Sequence, residues 1–432
     1  MRSKSLLMWS LSAVILMFPG ILLAGHYEDA KRARDHGAKR EYLKAAEAME
    51  AAAKDEILTR EEALAYRLGA AGYYANTKDL DKALSIIDEI LEQIKGDPVL
   101  ETDMIHINTL IARISNLSLA KRFDEAQKQL DELYAMDFER FYDWGRSRSR
   151  FLFTCGTFYA GQQQYEKALL FLLESFAEYP EFGNSSMATY IGVYMHNAEA
   201  AGQSVTSNQK IRELLTRAIL RNADKELTCE RLLEARAKMF MSEGDFDRAA
   251  YDAKILISVS TSSQSLESGI SMLSMMLKAK DGNLARVNRF LEYQKYGKVG
   301  ADGELGTDDD LSNPIESLTA PADDAMEALY QEELDRTSKD WVGAMKRAGI
   351  YRLRGKPDKA LAELRVAYRI CPYDQRALQR VSDQLIQVLV QVTGDPKAGE
   401  RFIAFQKYGV AGVDGKTGTQ DDLKDILAAA GN

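Results

Sequence analysis

The segment GTFYAGQQQYEKALLFLLESFAEYP, running from Gly156 to Pro180, decides the fold. Ala168, Leu172 and Ser175 recur at intervals of four and three, which places them on one face of an α-helix. Before them, Gly161-Gln162-Gln163 is a polar connector of the length that joins two antiparallel helices. Small residues let the two helices touch, while larger ones fill the space beside them. One such pair cannot bury its apolar face alone, so the segment predicts stacking on neighbours of the same kind.

The same pattern recurs on both sides. An aromatic or apolar residue is followed three places on by Ala at Tyr42 and Ala45, Leu80 and Ala83, Phe123 and Ala126, Phe246 and Ala249, and Pro357 and Ala360. A second full copy runs Trp341, Ala348, Tyr351, Gly355, Ala360, Leu364, Ala367, Pro372. Polar turns at Thr77-Lys78-Asp79, Ser242-Glu243-Gly244-Asp245 and Arg354-Gly355-Lys356-Pro357 punctuate it, and Pro357 suits the first turn of a helix. Helix pairs at about 186–220, 265–296 and 375–408 keep the architecture without the signature. These residues resemble tetratricopeptide repeats. The resemblance implies an all-α fold, a superhelical α-solenoid of antiparallel helix pairs that binds a protein or peptide on its concave face. Sustained alternation of β-branched residues is missing, so strands should be few.

Two stretches depart from the helical pattern and copy each other. RFLEYQKYGKVGADGELGTDDDL at 289–311 and RFIAFQKYGVAGVDGKTGTQDDL at 401–423 share fourteen of twenty-three positions. Each follows one regular and one less regular pair, as though a four-helix unit with a tail had been duplicated. Phe290 with Tyr293, and Phe402 with Phe405, should close a helix before the motif Gly-x-Asp-Gly-x-x-Gly-Thr winds a tight turn. Thr307 with Asp310, and Thr419 with Asp422, have capping-box spacing. Two roles stay open for these turns: a structural end-piece of the unit, or a calcium site. No other cofactor is expected. For calcium, the carboxylates would be Asp302, Asp309 and Asp310 in one copy and Asp414, Asp421 and Asp422 in the other, as in a distant EF-hand resemblance that lacks the early acidic ligands.

Arg2 and Lys4 precede an apolar stretch ending in Leu22-Leu23-Ala24-Gly25, the layout of a cleaved secretion signal. The alternative is an uncleaved membrane anchor, which Pro19 and Gly20 interrupt. Export to a periplasmic or extracellular space is the expectation, with no stable membrane insertion after cleavage. The formal charge of −9 becomes −11 without the two leader cations, and mixed charges offer no phosphate-tracking surface, so nucleic acid is not an expected partner. Cys155, Cys229 and Cys371 are either three small buried residues or one disulfide and a spare thiol. The four histidines have no metal-ligand spacing and no catalytic constellation appears, so a non-enzymatic scaffold is expected. The densest basic spot, Arg146, Arg148 and Arg150 beside Tyr142 and Trp144, is the candidate partner-binding site. The expected organisation is a signal at 1–25, an array at 26–228, a composite unit at 229–318, a linker at 319–325 and a second composite unit at 326–432.

Overall fold

The computed structural model describes residues 27–408 apart from 142, 204, 206–207, 282–283, 297, 299, 302–306, 310, 316–317, 320–323, 373 and 394–396. The leader, most of the linker and the glycine motif of the second loop copy lie outside the described residues. All regular structure among the described residues is helical, and the chain divides into two compact units between Phe182 and Gly183, inside the stretch 26–228.

The first unit contains α1 (Tyr27–Ala38), α2 (Tyr42–Ala52), α3 (Arg60–Asn76), α4 (Leu80–Ile94), the single turn α5 (Pro98–Glu101), α6 (Met104–Leu119), α7 (Phe123–Tyr134), α8 (Trp144–Gly161) and α9 (Tyr165–Glu178). Helices joined in sequence pack as antiparallel hairpins, and the hairpins stack through their first members, α3 on α6 and α6 on α8. Their starts are fixed locally. Thr59 and Glu62 form a reciprocal capping box on α3, and Asp79 and Asp103 accept backbone N–H groups at the heads of α4 and α6.

Six hairpins in the two units turn on one backbone geometry. Arg40, Lys78, Lys121, Gln163, Gly244 and Gly355 are left-handed, with φ between 61 and 78°. Each closes a Schellman motif: Lys78 donates its N–H to Ala75 at 3.0 Å, and Asp79 donates to Tyr74 at 3.1 Å. The residue that follows sits at φ −82 to −112° and ψ 59 to 73° in all six. Its carbonyl then accepts the N–H of Ala45, Ala83, Ala126, Ala168, Ala249 or Ala360 at 3.0–3.1 Å. Those six alanines are all 0 % exposed. The turn thus fixes the register that delivers a small side chain to the helix–helix contact.

Four of the six left-handed positions carry a side chain, at a cost of roughly 1–2 kcal/mol each relative to Gly. Lys78 is exposed, so Lys78→Gly relieves that strain and loses no packing. Its greater unfolded-state entropy offsets part of the gain. Urea unfolding should show a stabilisation of about 0.5–1 kcal/mol.

The second unit contains α10 (Ser185–Ala200), α11 (Gln209–Arg221), α12 (Glu226–Ser242), α13 (Phe246–Val259), α14 (Ser263–Asp281), α15 (Leu284–Tyr296), α16 (Asp324–Asp335), α17 (Trp341–Leu353), α18 (Pro357–Ile370), α19 (Gln375–Thr393) and α20 (Ala398–Tyr408). Packing runs α12–α13–α14–α15 and again α17–α18–α19–α20. Phe290 and Phe402, at matching places in α15 and α20, are both buried. Between the two sets, α16 returns to α11 and also packs on α17. Glu333 pins it there, 1 % exposed, with Arg221 at 2.9 Å and Lys346 at 3.9 Å.

All three cysteines are free thiols, Cys155 and Cys229 buried and Cys371 partly so. Burial pushes the Cys155 thiol far up and the Cys229 thiol to about 12. Native protein at pH 8 should therefore react with a thiol reagent at Cys371 first, and at Cys155 and Cys229 only after denaturant is added. No helix among the described residues is long and apolar enough to cross a membrane.

Candidate binding sites

The basic spot chosen from sequence lies at the head of α8, and its three arginines go to different partners. Side chains two apart on a helix diverge by about 200°. Arg146 pairs with Asp143 at 3.0 Å and lies over the Phe182 ring at 5.3 Å. Arg148 instead stands against Tyr134, Phe138 and Phe151, with ring centroids 5.0–5.4 Å away. Arg150 donates to Asn108 Oδ1 at 2.6 Å, and burial, aided by Arg146, lowers its pKa to about 10. Trp144 is 41 % exposed and meets Tyr179 edge-on at 5.9 Å. Trp144 and Arg146 therefore present themselves outward, whereas Arg148 and Arg150 serve packing. Tyr142 lies outside the described residues.

In the first glycine loop, Asp309 is the only candidate calcium ligand among the described residues. Its Oδ2 accepts the Ala301 N–H at 2.6 Å and its Oδ1 accepts the Thr307 hydroxyl at 2.8 Å. Gly300 is left-handed at φ 67°, and a Cβ there would stand 2.3 Å from the Asp309 carbonyl oxygen. This is a side-chain-braced glycine turn, closed by Leu311 N–H on the Lys298 carbonyl at 2.9 Å. Asp302, Asp310, Asp414, Asp421 and Asp422 lie outside the described residues.

A different site forms where α16 returns to the α12–α13 hairpin. It is a cavity of about 210 Å³ with charged walls and apolar contributions from Phe240 and Met326. At its base Arg236 makes a two-pronged ion pair with Asp252, at 2.8 and 2.7 Å, and also donates to Thr216 Oγ1 at 3.1 Å. Both charged side chains are 3 % exposed. Burial pushes the Arg236 guanidinium down, but the Asp252 carboxylate outweighs it and holds the group above its ordinary range. Tyr251 and Tyr330 both direct their hydroxyls to the Leu353 carbonyl, at 3.2 and 3.5 Å, and burial raises both phenols.

The mouth is cationic. Arg354 lies over the Tyr330 ring at 5.5 Å and pairs with Glu327, a carboxylate that is 60 % exposed. The Arg354 side chain itself is only 10 % exposed, and its Nε is buried without a hydrogen-bond partner among the described residues. Burial holds the Arg354 guanidinium below its ordinary range. Lys356 is lowered too, by burial and then by Arg354 and Lys359. Four cations thus line the cavity against two carboxylates, and one of the four, Arg248, is answered from outside the cavity by Asp245 at 2.9 Å.

Charged helix faces ordinarily read as solvated surface, which is how sequence reasoning passes over this cavity. The available signal is placement within the apolar stripe. Arg236 stands four residues after Leu232 and four before Phe240, both buried, and Asp252 stands between buried Ala249 and Leu256. Compared with known proteins, the chain matches no protein-family model and no curated protein. The copies marked by Ala45, Ala83, Ala126 and Ala168 lie about forty residues apart, against 34 in a tetratricopeptide repeat.

Proposed function

We propose that this chain is an exported, non-enzymatic scaffold of tetratricopeptide-like helix pairs that binds a protein or peptide partner. One observation supports a contact surface at the end of the first unit. Trp144 and Arg146 stand exposed on neighbouring aromatic supports, Tyr179 and Phe182. Trp, Tyr and Arg are the side chains that dominate binding energy in protein interfaces, because each combines a large apolar area with a polar edge at modest entropic cost. Asp143 neutralises Arg146 without burying it, so the guanidinium stays available to a partner.

The test is a selection of displayed peptides against the purified chain from residue 26 onward. Enriched peptides should share a motif, and Trp144→Ala should weaken their binding by about 2 kcal/mol, roughly thirtyfold, at unchanged melting temperature. Equal binding by Trp144→Ala, or no enriched motif, would contradict this surface.

A further inference from the structure

The cavity between α12, α13 and α16 serves no evident structural need for so much positive charge at its mouth. Asp252 already answers Arg236 at the base. Above it, Arg354 is held almost entirely out of solvent, and its partner Glu327 reaches in from the exposed side of α16. A guanidinium so enclosed requires an anion, and the pocket's own anion is the most easily displaced side chain around it. Lys356 adds a second cation at the rim, with no ion pair among the described residues. Phe240, Met326 and the Tyr330 ring supply an apolar wall beside this charge.

We infer that this cavity is a binding site for a small organic carboxylate with an aromatic or apolar body, and that Glu327 occupies the carboxylate position until the ligand displaces it. The exchange is one carboxylate for another, so the charge at Arg354 is conserved. The volume of about 210 Å³ matches a ligand of amino-acid or benzoate size. Arg354 and Lys356 hold the carboxylate, and the apolar wall takes the ligand's body. This site lies wholly in the second unit and does not depend on the proposed partner surface around Trp144.

The experiment is calorimetric titration of the full chain with benzoate, benzamide, acetate and inorganic phosphate. Benzoate should bind, while benzamide, which lacks the charge, and acetate, which lacks the body, should bind at least about tenfold more weakly. Arg354→Met should abolish benzoate binding. Glu327→Gln removes the competing carboxylate from an exposed position that should not disturb folding, and it should tighten benzoate binding by about two- to fivefold, the scale of an exposed ion pair. Benzoate binding that is undetectable at 10 mM in both the native chain and Glu327→Gln (roughly the weakest useful affinity) would overturn the proposal. Phosphate binding as tightly as benzoate, or Glu327→Gln weakening it, would do the same.

Discussion

Asp252→Ala is expected to destabilise the second unit by about 3–5 kcal/mol, because it leaves Arg236 charged, buried and without its carboxylate. The pair is 3 % exposed on both sides, so water can approach the missing partner's place only through the narrow cavity above it. Thr216 Oγ1 remains as an acceptor for one N–H, which compensates only a fraction. The double replacement Arg236→Met with Asp252→Leu should lie within about 1–2 kcal/mol of the native chain, since removing both charges also removes both desolvation costs. Urea unfolding followed by Trp341 fluorescence, with Trp9 and Trp144 changed to Phe, reports on the second unit. A single substitution as mild as the double one would show that the pair contributes little.

Gly156→Val should cost the first unit about 3 kcal/mol. A Cβ at Gly156 would stand 2.8 Å from Leu172 Cγ and 3.0 Å from the Ala168 carbonyl oxygen. Leu172 can change rotamer, but the carbonyl belongs to the backbone of α9 and moves only with the helix. Overpacking of this kind typically costs about 1–3 kcal/mol, and the immovable backbone together with a β-branched residue places Val at the upper end. Ala at the same position should cost about half as much. Loss of helical circular dichroism in urea measures both, and equal stabilities for Gly, Ala and Val would mean that α8 and α9 are not in close contact.

The hairpin register is legible in the sequence because small residues at fixed spacing have few other uses. Ala168 and Ala360 mark the close contact wherever they occur, and all six marked alanines are buried. The turns themselves are less legible. Arg40, Lys78, Lys121 and Gln163 adopt the left-handed conformation that a reader of sequence assigns to glycine. The return of α16 to α11 is hidden as well, since periodicity specifies which face is buried and says nothing of a partner more than a hundred residues away. For the same reason Arg236 and Asp252 read as surface charges until α16 covers them. At the head of α8, residue types suggest one cationic cluster, and helical geometry divides it into an outward Arg146 and two packed arginines.

Repetition of one hairpin in one register underlies both the fold and the surfaces proposed for binding. In such an array each pair depends mainly on its neighbours, so damage should stay local. Native-state hydrogen exchange on Gly156→Ala tests this most directly. Protection should fall in α8, α9 and the adjoining α6, while the amides of Ala45 and Ala83 keep their native exchange rates. A uniform fall from α1 to α9 would contradict the account, because it would show the first unit opening as a single cooperative body rather than as stacked hairpins.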